Sequence, residues 1–172
     1  MARRRWDWLR ELVARQRADT AATPRRSPDA LHDAIARLGL SDATIVDGLA
    51  ATLGLDRTQV IAPDERALGL AVPEDLALLL PPLCEHTSGT LREVARSWLA
   101  LPSLVYTVPS DRAERWLSDH PAIAELLVHR IAGEGLAWLG PEALARLAST
   151  GATLAVREAA TRWRERLVEP AA

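Results

Sequence analysis

Residues 31–55 read LHDAIARLGLSDATIVDGLAATLGL, two helix-spaced apolar repeats on either side of a Gly-Leu-Ser turn. Leu31, Ile35 and Leu38 are spaced to put one apolar stripe on a helix, and Gly39 is placed to end it. Ser41 offers an N-cap oxygen to a second helix, in which Ile45, Leu49 and Leu53 recur before Gly54 stops it. Two short helices joined by a Gly-Leu-Ser turn make an αα-hairpin.

Downstream of the hairpin, Thr58 to Ala62 suits a brief strand, and Pro63 to Val72 is loop-like in composition. Pro73 opens a helix through Leu80, which Pro81 and Pro82 are expected to break. Thr90-Leu-Arg-Glu93 matches a capping box, followed by Leu91, Val94, Trp98 and Leu101 on about one face. Leu104 to Val108, bounded by Pro102 and Pro109, carries the strongest strand signal in the chain. Ser110 then caps a helix bearing Ala113, Trp116 and Leu117.

The remainder reads as helix throughout. Pro121 starts one with Ile123, Leu126, Leu127 and Ile131, and Gly133 and Gly135 are expected to end it. Pro141 opens another that Gly151 closes, and Val156, Trp163 and Leu167 mark a last one, with Glu158 and Arg162 as an outward pair. The expected class is α+β, predominantly helical: an αα-hairpin, a small strand-helix unit, then a C-terminal helical segment. The domain boundaries that follow are 1–27, a basic Trp/Arg arm and linker; 28–118; and 119–172.

On the N-terminal side, Trp6, Leu9 and Val13 fall on one face of a short helix over 3–18, with Leu12 beside them and Arg10 and Arg17 opposite. Ala18 to Pro28 is a linker by composition. Residues 1–26 hold eight Arg against Asp7, Glu11 and Asp19, a net of +5, while the rest of the chain is acidic and the whole carries −2. An acidic body repels nucleic acid, which leaves the arm as the element able to meet a protein partner or an anionic membrane surface. Trp6, Trp8, Leu9, Arg10 and Leu12 are the candidate partner-binding residues, and the competing reading folds the arm back onto its own domain. Trp98, Trp116, Trp138 and Trp163 fall on apolar helix faces and read as core.

The 172 residues are 48% apolar and 26% charged, an ordinary globular balance that excludes global disorder. All 21 basic residues are Arg. Without Lys there is neither a phosphate-loop lysine nor a Schiff-base lysine, so P-loop ATPase chemistry is excluded. Cys84 is the single cysteine, which forbids an intrachain disulfide and fits a reducing compartment. Arg3 to Arg5 lead into Trp6-Asp7-Trp8 and not into an apolar run, so no secretory signal is expected. The longest uncharged run, Ser97 to Ser110, contains two prolines and is too short for a membrane span. The expected location is the cytoplasm, with the arm able to hold the protein at the inner membrane.

Cys84-Glu85-His86 is the one local cluster with nucleophile or metal character. His32, His120 and His129 have no paired spacing that would complete a zinc site, so no metal and no cofactor are expected. There is no G-x-S-x-G, no H-E-x-x-H and no glycine-rich phosphate loop, and a non-enzyme is the expectation.

Ala34 to Leu55 resembles the amino-terminal domain of the type II secretion and type IV pilus assembly ATPases, whose pattern runs Gly-Leu-(Ile)-Ser, then Leu-x-x-x-Leu-Ala, then Leu-Gly-Leu. Val72-Pro-Glu-Asp-Leu76 is similar to that family's Leu-Pro-Glu-x-Leu helix, and Leu104–Val108 with Ser110–Leu117 is similar to its closing strand-helix unit. The resemblance covers about residues 28–118 and implies a non-catalytic adaptor or regulatory module that docks a secretion, pilus or polysaccharide-export component. It also implies an alternative, a cyclic di-GMP sensor, whose ligand would meet Leu31, Ile35, Arg37, Leu38, Gly39 and Thr52. With the Gly39-Leu40 turn in register, however, the family's Arg falls on Ala30, its Gly on His32 and its Gln on Thr52. A further alternative is a DNA-binding helix-turn-helix over Leu49 to Gln59, whose recognition helix would meet Pro63 within two turns and bring Asp64 and Glu65 to the phosphates.

Overall fold

The computed structural model describes residues 27–37 and 39–168. These form ten helices: α1 (Pro28–Ala36), α2 (Asp42–Leu53), α3 (Arg57–Ile61), α4 (Glu65–Leu70), α5 (Pro73–Cys84), α6 (Gly89–Leu99), α7 (Leu104–Thr107), α8 (Ser110–Asp119), α9 (Pro121–Thr150) and α10 (Leu154–Val168). Among the described residues there is no strand. The helical part of the expected class holds, and the small strand-helix unit does not.

The αα-hairpin forms as expected. The Ser41 hydroxyl accepts from the Thr44 amide at 3.3 Å, and Gly54 closes α2 in the left-handed region at φ 69°. Leu31 and Ile35 of α1 and Ile45, Leu49 and Leu53 of α2 are all buried.

Both expected strands are helical. Asp56 and Gln59 form a reciprocal capping box, with the Gln59 amide 2.8 Å from Asp56 Oδ1 and the Asp56 amide 3.1 Å from Gln59 Oε1, so residues 57–61 turn into α3. Leu104–Val108 has no partner strand to share a hydrogen-bond ladder, and an unpaired strand would leave its backbone groups unsatisfied. A single turn solves this: the amides of Leu104, Tyr106 and Val108 bond the carbonyls of Leu101, Ser103 and Leu104. Consecutive Leu104 and Val105 are then both buried while Tyr106 is 67% exposed, a pattern that strand alternation forbids. The loop expected over 63–72 contains α4, which Asp64 caps through the Ala67 amide at 2.8 Å.

Pro81 and Pro82 do not break α5, which continues to Cys84. Neither proline has an N–H, so the carbonyls four residues back, Ala77 and Leu78, lose their helical donors. Each is supplied from another helix. Trp116 Nε1 of α8 donates to the Ala77 oxygen at 2.9 Å, and His32 Nδ1 of α1 donates to the Leu78 oxygen at 3.0 Å. Helix α5 is therefore held from both sides at the point where its own ladder is interrupted.

Two further tryptophans act in the same way. Trp98 Nε1 of α6 donates to the Val60 carbonyl of α3 at 3.0 Å, and Trp163 Nε1 of α10 donates to the Ile131 carbonyl of α9. Gly133 and Gly135, expected to end a helix, lie inside α9, and the Trp163 contact gives Gly135 its place there. A Cβ at Gly135 would come within 3.1 Å of the Trp163 indole nitrogen, so the glycine is the seat of the ring. Helix α9 bends just before Pro141, the residue expected to open a new helix: Gly140 has φ 83° and ψ 165°, a region open to glycine alone. Helix α6 is capped by Ser88, whose hydroxyl accepts from the Leu91 amide, and not by Thr90. Helix α8 begins at Ser110 with Pro109 in the N-cap position and no side-chain cap.

The buried side chains from Leu31 to Ala160 form one continuous cluster. Replacing Trp116 with Phe is expected to destabilise the protein by about 1–3 kcal/mol, the cost of a buried carbonyl left without a donor. The same replacement in a Pro81→Ala background should cost less, because the new amide at 81 can serve Ala77. Urea denaturation of the four proteins measures this coupling.

Candidate functional site

The Cys84-Glu85-His86 triplet lies at the end of α5, where the chain turns toward α6, and the start of α9 packs nearby. Cys84 is 7% exposed. Burial pushes its thiol up to about 12, the Glu85 charge adds to the rise and Arg96 opposes it. At neutral pH the sulfur is a protonated apolar group and has no nucleophilic character. Glu85 faces outward, and its carboxylate meets His120 Nδ1 at 2.7 Å. His86 is 4% exposed, and its Nδ1 accepts from the Ser88 amide at 3.0 Å. That bond places the ring proton on Nε2, which has no partner among the described residues. Ser88 itself donates to Asp42 Oδ2 at 2.7 Å, tying this turn to the start of α2.

Beside Cys84 a cleft of about 370 Å³ is lined by Cys84, Arg92, Arg96, Ala122, Glu125 and Leu126. Its walls are α6 and the first turns of α9. Arg92 Nη1 donates to the carbonyls of His86 at 2.9 Å and Thr87 at 3.2 Å, which fixes its guanidinium. Arg96 stands one turn further along α6, on the same side.

The residues singled out by the resemblance do not share one open surface. Leu31, Ile35 and Thr52 are 2%, 0% and 6% exposed, and the Thr52 hydroxyl oxygen has no partner among the described residues. Arg37 and Gly39 are exposed, and Leu38 lies outside the described residues. Trp6, Trp8, Leu9, Arg10 and Leu12 likewise lie outside them. The position of a DNA-recognition helix is occupied by α3, which has five residues. The arginine cleft was not legible in the sequence, because its two walls are about thirty residues apart and neither bears a motif.

A second concavity, of about 350 Å³, lies at the bend of α9 against α8 and includes Ser110, Asp111, Glu142 and the Glu114–Arg146 ion pair. That pair is bidentate, at 2.6 and 3.0 Å, and it draws the second half of α9 to α8. Among the described residues no three potential metal ligands gather, and no helix is long and apolar enough to cross a membrane. No protein-family model, curated protein or solved structure matches the chain.

Native Cys84 is expected to alkylate with iodoacetamide at pH 8 at least about a hundredfold more slowly than in urea-unfolded chain. Its pH linkage has a definite sign. The folded protein holds the thiol proton above the ordinary value of 9.0, so its stabilising effect is complete below pH 9 and is lost as pH rises toward 12. The difference in stability between the parent and Cys84→Ala should therefore be flat below pH 9 and shift against the parent above it.

Proposed function

We propose that the chain is a non-catalytic adaptor or regulatory interaction module that docks a protein partner, in the class of secretion, pilus or polysaccharide-export components. The observation that carries this reading is the αα-hairpin of α1 and α2. It is the segment whose sequence resembles the secretion-ATPase amino-terminal domains, and it forms two helices, the second capped by Ser41 and closed by Gly54. The closing strand-helix unit contributes no support, since Leu104–Thr107 is helical.

Two other features agree with a binding role. The single cysteine is buried and held protonated, which removes the one sequence-local nucleophile from neutral-pH chemistry. The basic arm over residues 1–26 opposes an acidic body, a charge asymmetry suited to a partner with an acidic face or to an anionic membrane surface. The arm residues Trp6, Trp8, Leu9, Arg10 and Leu12 are the proposed docking element.

An affinity capture from native lysate tests this reading with three baits: the full chain, the chain lacking residues 1–26, and Trp6→Ala/Trp8→Ala. The full chain is expected to retain one stoichiometric protein partner that both altered baits lose, with Tm unchanged in the double variant. Retention of the partner by the shortened chain would remove the arm from the docking role. A large fall in Tm on Trp6→Ala/Trp8→Ala would make those rings part of the body's core.

A further inference from the structure

We propose that the cleft between α6 and the start of α9 binds a small ligand through a phosphate or carboxylate group, held by Arg92 and Arg96, with a hydrogen-bond donor of the ligand facing Glu125. This goes beyond the docking role above and does not depend on it.

Two guanidinium groups one helical turn apart share the cleft wall. Arg92 and Arg96 are an i,i+4 pair of like sign on an exposed helix face, a combination that weakens a helix. Among the described residues neither lies within 4 Å of a carboxylate, because the ion pairs formed there are Arg57–Asp47, His120–Glu85 and Arg146–Glu114. Arg92 is also pre-set for binding: its Nη1 is tied to the His86 and Thr87 carbonyls, which orients the remaining N–H groups of a planar fork suited to phosphate or carboxylate oxygens. Among the described residues Arg96 donates to none.

The opposite wall is complementary. Helix α9 starts with Pro121 in its first turn and His120 at the N-cap, and no side chain caps it. The first intrahelical bond runs from the Ala124 amide to the His120 carbonyl at 2.9 Å, so the Ala122 and Ile123 amides precede the ladder. His120 cannot turn back to cap them while its Nδ1 holds Glu85. Ala122 lines the cleft, and an anionic oxygen there meets the positive end of α9 as well as the two guanidinium groups. Glu125, one turn further in, supplies an acceptor and disfavours a bare anion. That selects a ligand in which the anionic group is accompanied by an ammonium or hydroxyl donor. A volume of about 370 Å³ suits a ligand of small-metabolite size.

The test is a nitrogen-15 NMR titration of the full chain with O-phosphoserine, with aspartate, and with sodium chloride at matched ionic strength. The signals followed are the Ala122 and Ile123 amides and the Arg92 and Arg96 Nε–H groups. Phosphoserine or aspartate is expected to give saturable shifts at these groups, and the one that does identifies the phosphate or carboxylate source. Arg96→Gln, at an exposed position, should keep the dispersed spectrum and weaken binding by about tenfold or more. The proposal is overturned if neither probe saturates, if sodium chloride reproduces the shifts, or if Arg96→Gln binds as tightly as the parent.

Discussion

The arrangement of the molecule depends on two missing amide hydrogens. Pro81 and Pro82 lie inside a helix, where each removes a donor from the ladder, and the released carbonyls of Ala77 and Leu78 each accept from a neighbouring helix. A buried carbonyl without a donor costs on the order of 1–3 kcal/mol, so α5 is tolerable only if other elements bring donors to those two points. Trp116 brings one from α8, and His32 brings the other from α1. The N-terminal hairpin and the C-terminal helices are thus positioned against one central helix by hydrogen bonds whose distances and directions are fixed. Apolar packing alone would leave more freedom.

The same kind of donation recurs at three of the six Trp. Six Trp stand beside one Tyr and no Phe. A benzyl ring would fill the same space, but it has no N–H. Trp98 and Trp116 bury their rings, Trp163 half-buries its own, and each donates to a main-chain carbonyl of another helix, which fixes register as well as volume. Trp138 departs from this: its Nε1 is buried with no partner among the described residues. Arg130 works by the same principle with charge, donating to the carbonyls of Ala100, Leu101 and Pro102 where α6 ends, so that orphan acceptors at a helix C-terminus meet a guanidinium.

What was legible in the sequence was whatever is local. Ser41, Gly54, Pro121, Pro141 and Gly151 mark starts and stops because a cap or a fixed backbone angle is decided within a turn or two, whereas the bend at Gly140 went unread. Asp56-Arg-Thr-Gln59 carried an equally plain capping box, but the β-branched residues around it suggested a strand. Leu104-Val-Tyr-Thr-Val108 misled for the opposite reason: its composition suits a sheet, and only the absence of a partner strand among the described residues makes a helical turn the better outcome. Pro81-Pro82 read as a break because the donors that rescue the helix come from residues 32 and 116, and no local pattern announces them. The arginine cleft was hidden in the same way, since Arg92 and Arg96 acquire meaning only when the start of α9 is set opposite them.

The bend at Gly140 bears on the dimensions of the protein. A straight helix of 30 residues would be about 45 Å long, more than the diameter of about 40 Å expected of a compact chain of this length. An unbent α9 would therefore project from the body as a rod, with its last turns stripped of neighbours. One residue with torsions that only glycine holds converts that rod into two shorter struts, and the Glu114–Arg146 pair fastens the second of them to α8. Compactness at this end of the molecule is set by a single unbranched position.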